Sequence, residues 1–206
     1  MAKTPIIISA LFFLFCLSVG AQQTKLEDYL VLINNDTIYG SVSYINEKAL
    51  NRGFRKKVRS TDSRGRTKKY RRESTKAFRV NGVDYHSFWL SQPKQPFPPT
   101  SLVNLRYDID LQDGKHYFLK VMSVGSLNHY KLEWFDQGDS QLWSMSLLKK
   151  VNDDYFIRAD QGLMGLKRKV LQQYFADCNT LEEKIENSEI SKVWQVVETY
   201  NRHCER

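Results

Sequence analysis

Apolar and polar residues alternate through much of the chain between residues 29 and 158, with the period of two that half-buried strands require. In the first half, three such stretches are interrupted by residues that favour tight turns, which predicts three β-hairpins. The hairpins span residues 29–45, 58–70 and 77–88. Their turns are Asn34-Asn35-Asp36, Asp62-Ser63-Arg64-Gly65 and Asn81-Gly82. Asparagine and aspartate tolerate left-handed backbone, and Asn-Gly is the strongest short hairpin signal in the chain.

A proline-rich stretch separates these hairpins from a second group of alternating runs. Proline fixes φ and removes a backbone donor, so residues 93–100 are predicted to form a linker. The spacing of Pro93, Pro96 and Pro99 also fits a polyproline II turn, for which a ligand of a proline-reading domain is the less favoured interpretation. Beyond the linker, short alternating runs predict an antiparallel meander. These runs cover residues 105–111, 116–124, 130–135, 142–148 and 155–158.

After Leu163 the apolar residues recur at helical spacing, which predicts C-terminal helices. Thr180 and Glu183 match a capping box at the start of one helix. A last helix carries an apolar stripe formed by Ile190, Val193, Trp194, Val197 and Tyr200. We expect Leu181, Ile185, Val193, Trp194 and Val197 to be buried against the sheet or the preceding helix. Strands followed by helices predict an α+β fold, in which antiparallel hairpins and a meander pack against two or three C-terminal helices.

The N-terminus has the pattern of an export signal. Lys3 precedes an apolar run from Ile6 to Val19, and Val19-Gly20-Ala21 supplies the small residues of a cleavage site. The run is shorter than the roughly 20 residues of a spanning helix, and no later run approaches that length. We therefore expect cleavage after Ala21, no transmembrane span in the mature chain, and a location in the periplasm, at the outer-membrane periphery or outside the cell.

These patterns divide the chain into five predicted segments. A signal peptide (1–21) precedes an N-terminal β-hairpin segment (22–92), the proline-rich linker (93–100), a second β segment (101–160) and a helical segment (161–206). Residues 22–206 form either one compact domain or two small ones. The mature chain retains Cys178 and Cys204, and an oxidising compartment permits a disulfide between them. Two buried free thiols are the alternative.

The charge is concentrated in the second hairpin. The 206 residues are 41% hydrophobic and 26% charged, which argues against a disordered or multi-span membrane protein, and the net charge is +8. Thirteen basic and only two acidic residues lie between Arg52 and Arg79, and such a patch attracts polyanions. The alternative is a solvated hairpin whose charges discourage edge-to-edge strand pairing. The candidate binding residues are Lys56, Lys57, Arg59, Arg64, Arg66, Lys68, Lys69, Arg71 and Arg72.

Export argues against intracellular nucleic acid as a partner and favours anionic envelope lipid, lipopolysaccharide or an acidic glycan. The sequence contains no G-x-S-x-G, Walker, H-E-x-x-H or C-x-x-C motif and no evident set of metal ligands, so no catalytic residue, metal or cofactor is predicted. The leading hypothesis is a non-catalytic envelope or secreted binding module. The alternatives are a hydrolase-like enzyme with its site in the second β segment, around His116 and His129, and a structural partner of an outer-membrane assembly.

Two parts of the chain resemble small exported, uncharacterised proteins of Bacteroidota. Asn35-Asp36-Thr37-Ile38-Tyr39-Gly40 is similar to their "NGDTIYG" opening, with Asn35 where that pattern usually has glycine. In order and spacing, their closing segment is similar to the run that contains Tyr155-Phe156-Ile157, Phe175-Ala176-Asp177-Cys178 and Tyr200-Asn201. The resemblance implies a β-rich fold and an envelope or secreted location, and it brings no known activity.

Overall fold

The computed structural model describes residues 27–44, 57–92, 106–135, 141–160 and 165–204. Within these ranges the chain forms twelve strands followed by three helices. The strands are β1 (Tyr29–Leu32), β2 (Thr37–Tyr39), β3 (Ser41–Ser43), β4 (Lys57–Thr61), β5 (Thr67–Arg71), β6 (Thr75–Val80), β7 (Val83–Ser91), β8 (Arg106–Ile109), β9 (Lys115–Ser123), β10 (Leu127–Phe135), β11 (Leu142–Lys150) and β12 (Tyr155–Arg158). The helices are α1 (Arg168–Tyr174), α2 (Asn179–Glu186) and α3 (Val193–His203). A single turn of 3₁₀ helix, Arg72–Ser74, joins β5 to β6.

Six of the strands close into an antiparallel barrel. Their order around the barrel is β7-β8-β12-β11-β10-β9, and β9 pairs back onto β7. The closing pair is long, because Tyr85 to Leu90 of β7 lie opposite Lys115 to Lys120 of β9. Closure removes the exposed edges that an open sheet has. The consecutive pairs β9–β10, β10–β11 and β11–β12 form the predicted meander.

The six strands outside the barrel fall into two groups. β6, β1 and β2 extend the sheet outward from β7, in that order. β3, β4 and β5 form a separate three-stranded sheet with the order β3-β4-β5. The chain passes from β2 to β3 through Gly40, whose φ is +141°. A side chain on Gly40 would collide with the backbone carbonyl of Thr61, so only glycine allows this close approach.

Alternate residues of β11 and β12 supply two different cores. Leu147 and Phe156 point into the barrel, where they join the cluster that fills its interior. Their neighbours Leu148 and Ile157 point outward into a second cluster, which α1, α2 and α3 cover. All four side chains are fully buried. The helices therefore pack on the outer face of the barrel wall, because successive strand residues point to opposite faces.

The predicted class of fold is confirmed in outline. The structure is β-rich with three C-terminal helices, and the hairpins around Asp62–Gly65 and Asn81-Gly82 are present as β4–β5 and β6–β7. The barrel closure was not predicted. Because β7 pairs with both β8 and β9, the two predicted β segments share one sheet. The predicted signal peptide and proline-rich linker lie outside the described residues.

The predicted burial of Trp194 is wrong. Trp194 is 59% exposed, whereas Val196 and Val197 are buried within the helix-covered cluster. The face of α3 that packs towards the barrel carries Val193, Val196, Val197 and Tyr200. These residues are three or four positions apart, which is about one helical turn. Successive helical residues differ by about 100° in direction, and this rotation carries Trp194 away from that face. Ile190, Val197 and Tyr200 are buried, whereas Val193 is only partly buried. Ile190 lies before the first residue of α3.

The capping box predicted at the start of α2 is also wrong. The helix begins at Asn179, one residue before Thr180, and its N-cap residue is Cys178. No side chain forms a cap hydrogen bond there. Thr180 is therefore the second helical residue, where its hydroxyl has no capping role.

The disulfide predicted between Cys178 and Cys204 is present. Their Cα atoms are 5.5 Å apart, which is within the usual range for a disulfide. The bond joins the residue before α2 to the residue after α3. It therefore fixes the two ends of the α2–α3 pair to each other.

Candidate functional site

The cationic hairpin predicted from the sequence is β4–β5, and its inner face packs on a hydrophobic cluster. Val58 of β4 is fully buried, and Tyr70 of β5 lies directly opposite it. Val58 belongs to a cluster with Leu30 of β1 and Phe78 of β6, against which Tyr70 also packs. This packing determines which face of the hairpin points outward, since alternate strand residues point to opposite faces.

The outer face carries cations at neighbouring positions on both strands. Arg59 lies directly opposite Lys69, and Arg71 follows Lys69 on the same face of β5. All three side chains are exposed, and none is within ion-pair distance of a carboxylate in the described part of the chain. We call Arg59, Lys69 and Arg71 the basic face. Lys57 lies opposite Arg71 in the register, and Lys56 lies outside the described residues. Like charges directly opposite each other destabilise a sheet, so this face carries uncompensated repulsion.

Asp62 organises the turn between β4 and β5 and neutralises one of its arginines. Its Oδ1 accepts hydrogen bonds from the backbone N–H groups of Arg64 and Arg66, each at 2.9 Å. Its Oδ2 lies 2.8 Å from Nη2 of Arg66. The backbone hydrogen bond from Arg66 is the main cause of the lowered pKa of the Asp62 carboxyl. Arg66 is therefore paired, whereas Arg64 is exposed and has no ion pair among the described residues.

Two more of the predicted binding residues do not join the basic face. Lys68 points to the opposite face of β5, where its Nζ lies 5.1 Å from the centre of the Tyr70 ring. Arg72 lies in the 3₁₀ turn, and its Nε is 3.1 Å from Oε1 of Glu73. The predicted binding residues therefore lie on both faces of the hairpin and in its turns, and two of the arginines are paired with carboxylates.

Ser87 and His116 make a contact that the sequence did not suggest. They lie on the paired strands β7 and β9, and Ser87 Oγ is 2.7 Å from Nε2 of His116. Burial lowers the pKa of His116 to about 4, so its imidazole is neutral near pH 7. Nδ1 of His116 is buried and has no hydrogen-bond partner within the described ranges. The pair therefore has the serine and the base of a nucleophilic arrangement, without a carboxylate that orients the base.

His129 lies on a different part of the barrel. The β9–β10 register places His129 opposite Ser123, at the end of β9 away from His116. At the rise of a β-strand, this separates the two histidines by about 20 Å. Burial lowers the pKa of His129 to about 4 as well, and the charge of Lys131 adds to this effect. The two histidines therefore do not form one site, as the hydrolase-like hypothesis had supposed.

A cleft of about 920 Å³ opens beside the disulfide. It lies between the turn that joins β11 to β12 and the neighbouring ends of α2 and α3, and its lining includes Asp153, Asp177, Tyr200 and His203. The carboxylate of Asp153 accepts a hydrogen bond from the hydroxyl of Tyr174. Burial raises the pKa of Tyr174, and the bond to Asp153 raises it further, so Tyr174 stays protonated.

Lys150 provides the positive charge of this cleft, and the chain itself satisfies it. Its Nζ donates hydrogen bonds to Oδ1 of Asp177 at 2.7 Å and to the carbonyl of Tyr174 at 3.0 Å. The same ammonium lies 4.7 Å from the centre of the Tyr174 ring and 5.5 Å from the centres of the Phe175 and Tyr200 rings. Aromatic faces attract cations at these distances. Lys150 therefore stabilises the junction of β11 with the helices.

Comparison with other proteins adds no constraint on the site. No family model, curated protein or solved structure matches the chain. In the described ranges, no three His, Cys, Asp or Glu side chains are grouped so that they could hold a metal ion. None of the described helices combines the length and the apolar character needed to cross a membrane. The function must therefore be argued from the geometry above.

Proposed function

We propose that the protein is an exported, non-catalytic binding module that binds polyanions through its basic face. The observation that carries this proposal is that Arg59, Lys69 and Arg71 are exposed together without a carboxylate partner among the described residues. A polyanion would remove the repulsion between these side chains and release counterions. The inner face of the hairpin packs on the hydrophobic cluster, and this packing holds the strands that carry the cations in place.

The proposed location follows from the N-terminal pattern and is supported by the disulfide. Disulfides persist in oxidising compartments, and Cys178 and Cys204 are paired. The proposed ligands in such a compartment are anionic envelope lipid, lipopolysaccharide or an acidic glycan. Intact-mass measurement of the exported protein should give a chain that begins at Gln22. A chain that retains Met1 would contradict the proposed signal peptide.

The binding proposal is tested with a charge-removal variant and a matched control. The variant replaces Arg59, Lys69 and Arg71 with glutamine, and the control replaces the exposed Lys115, Lys169 and Lys192 with glutamine. Both variants lose the same charge, but only the first alters the basic face. Retention is measured on heparin resin, on vesicles with anionic lipid and on immobilised lipopolysaccharide, at several salt concentrations.

We expect the basic-face variant to lose retention on at least one of these matrices and the control to keep it. Each lost ionic contact should also reduce the slope of log affinity against log salt by about one unit. Thermal unfolding should be similar for both variants, because all six side chains are exposed. Equal retention of the two variants would mean that the basic face is only a solubilising surface.

The contact between Ser87 and His116 favours a second candidate function, a hydrolase. In that reaction Nε2 of His116 would take the proton of Ser87 as Oγ attacks a carbonyl carbon. A fluorophosphonate probe tests the nucleophile directly, because it labels activated serines with loss of fluoride. Labelling that disappears in Ser87→Ala and in His116→Gln would support this candidate. Absence of labelling in the folded wild-type protein would reject it.

A further inference from the structure

β5 is an edge strand, and three of its five residues are basic. In the three-stranded sheet β5 pairs with β4, and no other described strand lies on its far side. Thr67, Lys68, Lys69 and Arg71 are all exposed. An edge strand presents unpaired backbone N–H and C=O groups, to which another extended chain can add.

The hydrogen bonds of the hairpin show which backbone groups face this edge. The N–H of Asp62 donates to the carbonyl of Arg66 at 3.1 Å, so this pair is hydrogen-bonded across the turn. Bonded and non-bonded pairs alternate along an antiparallel ladder, and Thr67, Lys69 and Arg71 therefore direct their backbone groups away from β4.

Two further contacts agree with this direction. The hydroxyls of Thr61 and Thr67 approach to 2.9 Å, as close side chains do in a non-bonded pair. The carbonyl of Arg71 accepts hydrogen bonds from Oγ of Ser74 and Oγ1 of Thr75, which lie outside the β4–β5 ladder. In the described part of the chain, Thr67 and Lys69 each keep an N–H and a C=O available at the edge.

We propose that this edge binds an extended acidic polypeptide, which adds to β5 as an antiparallel strand with carboxylates at alternate positions. The side chains of Thr67, Lys69 and Arg71 share the outer face. Residues of an added strand that lie directly opposite them point to the same face, where a glutamate beside Lys69 or Arg71 gains a cross-strand charge pair. The intervening residues lie on the face where Tyr70 packs on the hydrophobic cluster and where Lys68 already lies beside the Tyr70 ring, so uncharged side chains suit them.

Charge selects this occupant over a second copy of the chain. If two copies met edge to edge through β5, the lysines and arginines of one strand would face those of the other, and like charges opposite each other are destabilising. An acidic strand converts the same repulsion into attraction. The inference rests on the proposed function for its cations, and it adds the backbone edge as a second element of recognition.

The test uses the mature full-length protein and a short peptide that alternates glutamate and threonine. In the proposed pairing the N–H groups of the glutamates face β5, and those of the threonines face away. One peptide is therefore N-methylated at the glutamates, and a matched control is N-methylated at the threonines. Both carry the same charge and the same number of methyl groups. Affinity is measured by titration at constant salt.

We expect the glutamate-methylated peptide to bind at least about fivefold more weakly for each blocked hydrogen bond, while the threonine-methylated peptide binds like the parent. On the protein side, Thr67→Pro removes one edge N–H without changing any charge, and Thr67→Val removes only the hydroxyl. Thr67→Pro should weaken peptide binding and leave heparin retention unchanged, whereas Thr67→Val should affect neither.

The outcomes separate this inference from the proposed function. If both methylated peptides bind like the parent, or if the parent peptide does not bind while heparin or anionic vesicles do, edge pairing is overturned and polyanion binding stands. If the basic face binds no peptide, heparin, lipopolysaccharide or vesicle, both proposals are overturned. The methylated peptides need only the wild-type protein, so the result does not depend on whether Thr67→Pro folds.

Discussion

The side-chain amide of Asn201 makes two hydrogen bonds to the backbone of Leu127, 74 residues earlier in the chain. Its Oδ1 accepts the N–H of Leu127 at 2.7 Å, and its Nδ2 donates to the carbonyl of Leu127 at 3.1 Å. A side chain at Gly125 would collide with the same amide. Asn201 therefore joins α3 to the start of β10, at the point where a glycine makes room for it.

Replacing Asn201 with alanine should lower the free energy of unfolding by about 1–3 kcal/mol, because it leaves two backbone groups of Leu127 without partners. Denaturant titration measures the change. Arg202→Ala on the same helix is the control. Its side chain forms an exposed ion pair with Glu198 and no other ion pair with the described residues, so its loss should cost less than about 0.5 kcal/mol. Equal effects of the two substitutions would show that the amide contact does not stabilise the fold.

Two neighbouring positions of α3 should respond differently to truncation. Val197 is 4% exposed, and Val197→Ala should cost about 1–3 kcal/mol through lost burial and the resulting cavity. Trp194 is 59% exposed, and Trp194→Ala should cost less than about 1 kcal/mol although it removes more atoms. Denaturant titration of both variants decides the order. A larger loss of stability for Trp194→Ala than for Val197→Ala would contradict the exposed position of the Trp194 ring.

Reduction of the disulfide should destabilise the helical layer. Opening the Cys178–Cys204 bond is expected to lower the free energy of unfolding by roughly 3 kcal/mol, since the bond restricts the unfolded chain. Thermal unfolding with and without a reductant tests this. The double variant Cys178→Ala/Cys204→Ala should be insensitive to the reductant, and alkylation of two thiols in the native, unreduced protein would contradict the bond.

Stability should fall as the pH is lowered from about 6.5 towards 4. His116 and His129 have folded-state pKa values of about 4, below the ordinary value of 6.5, because burial disfavours their charged forms. Between these values the unfolded chain binds more protons than the folded protein, so protonation favours unfolding. Each histidine contributes a slope of up to about 1.4 kcal/mol per pH unit. Urea titrations at pH 7, 6 and 5 measure it, and a flat profile would contradict neutral buried imidazoles.

Local sequence patterns predicted the strands but not their closure into a barrel. Alternation around Asn81-Gly82 is enough to predict β6–β7, because the partners are joined by a tight turn. The pairing of β7 with β9 joins strands that are not consecutive in the chain. Alternation indicates which residues share a face but does not identify the neighbouring strand, and the contact between Ser87 and His116 depends on that pairing.

The charge of the segment predicts the candidate site, and the β4–β5 register shows which of its cations share a face. The basic segment was evident from composition, but Lys68 and Lys69 were counted together although neighbouring strand residues point to opposite faces. The cleft could not be predicted in the same way. Lys150 is surrounded by rings from α1, α3 and the residue after α1, and these come together only when the helices pack on the barrel.

The separation of the two sheets has a consequence for local unfolding. Among the described strands, the β3-β4-β5 sheet shares no hydrogen-bonded pair with the barrel sheet, and side-chain packing around Val58 and Phe78 connects the two sheets. Such a layer can detach as a cooperative unit at a lower free energy than global unfolding. Amide hydrogens of β4 should then exchange with deuterium sooner than those of β10, and the buried side chain of Val58 would become accessible while the barrel remains folded.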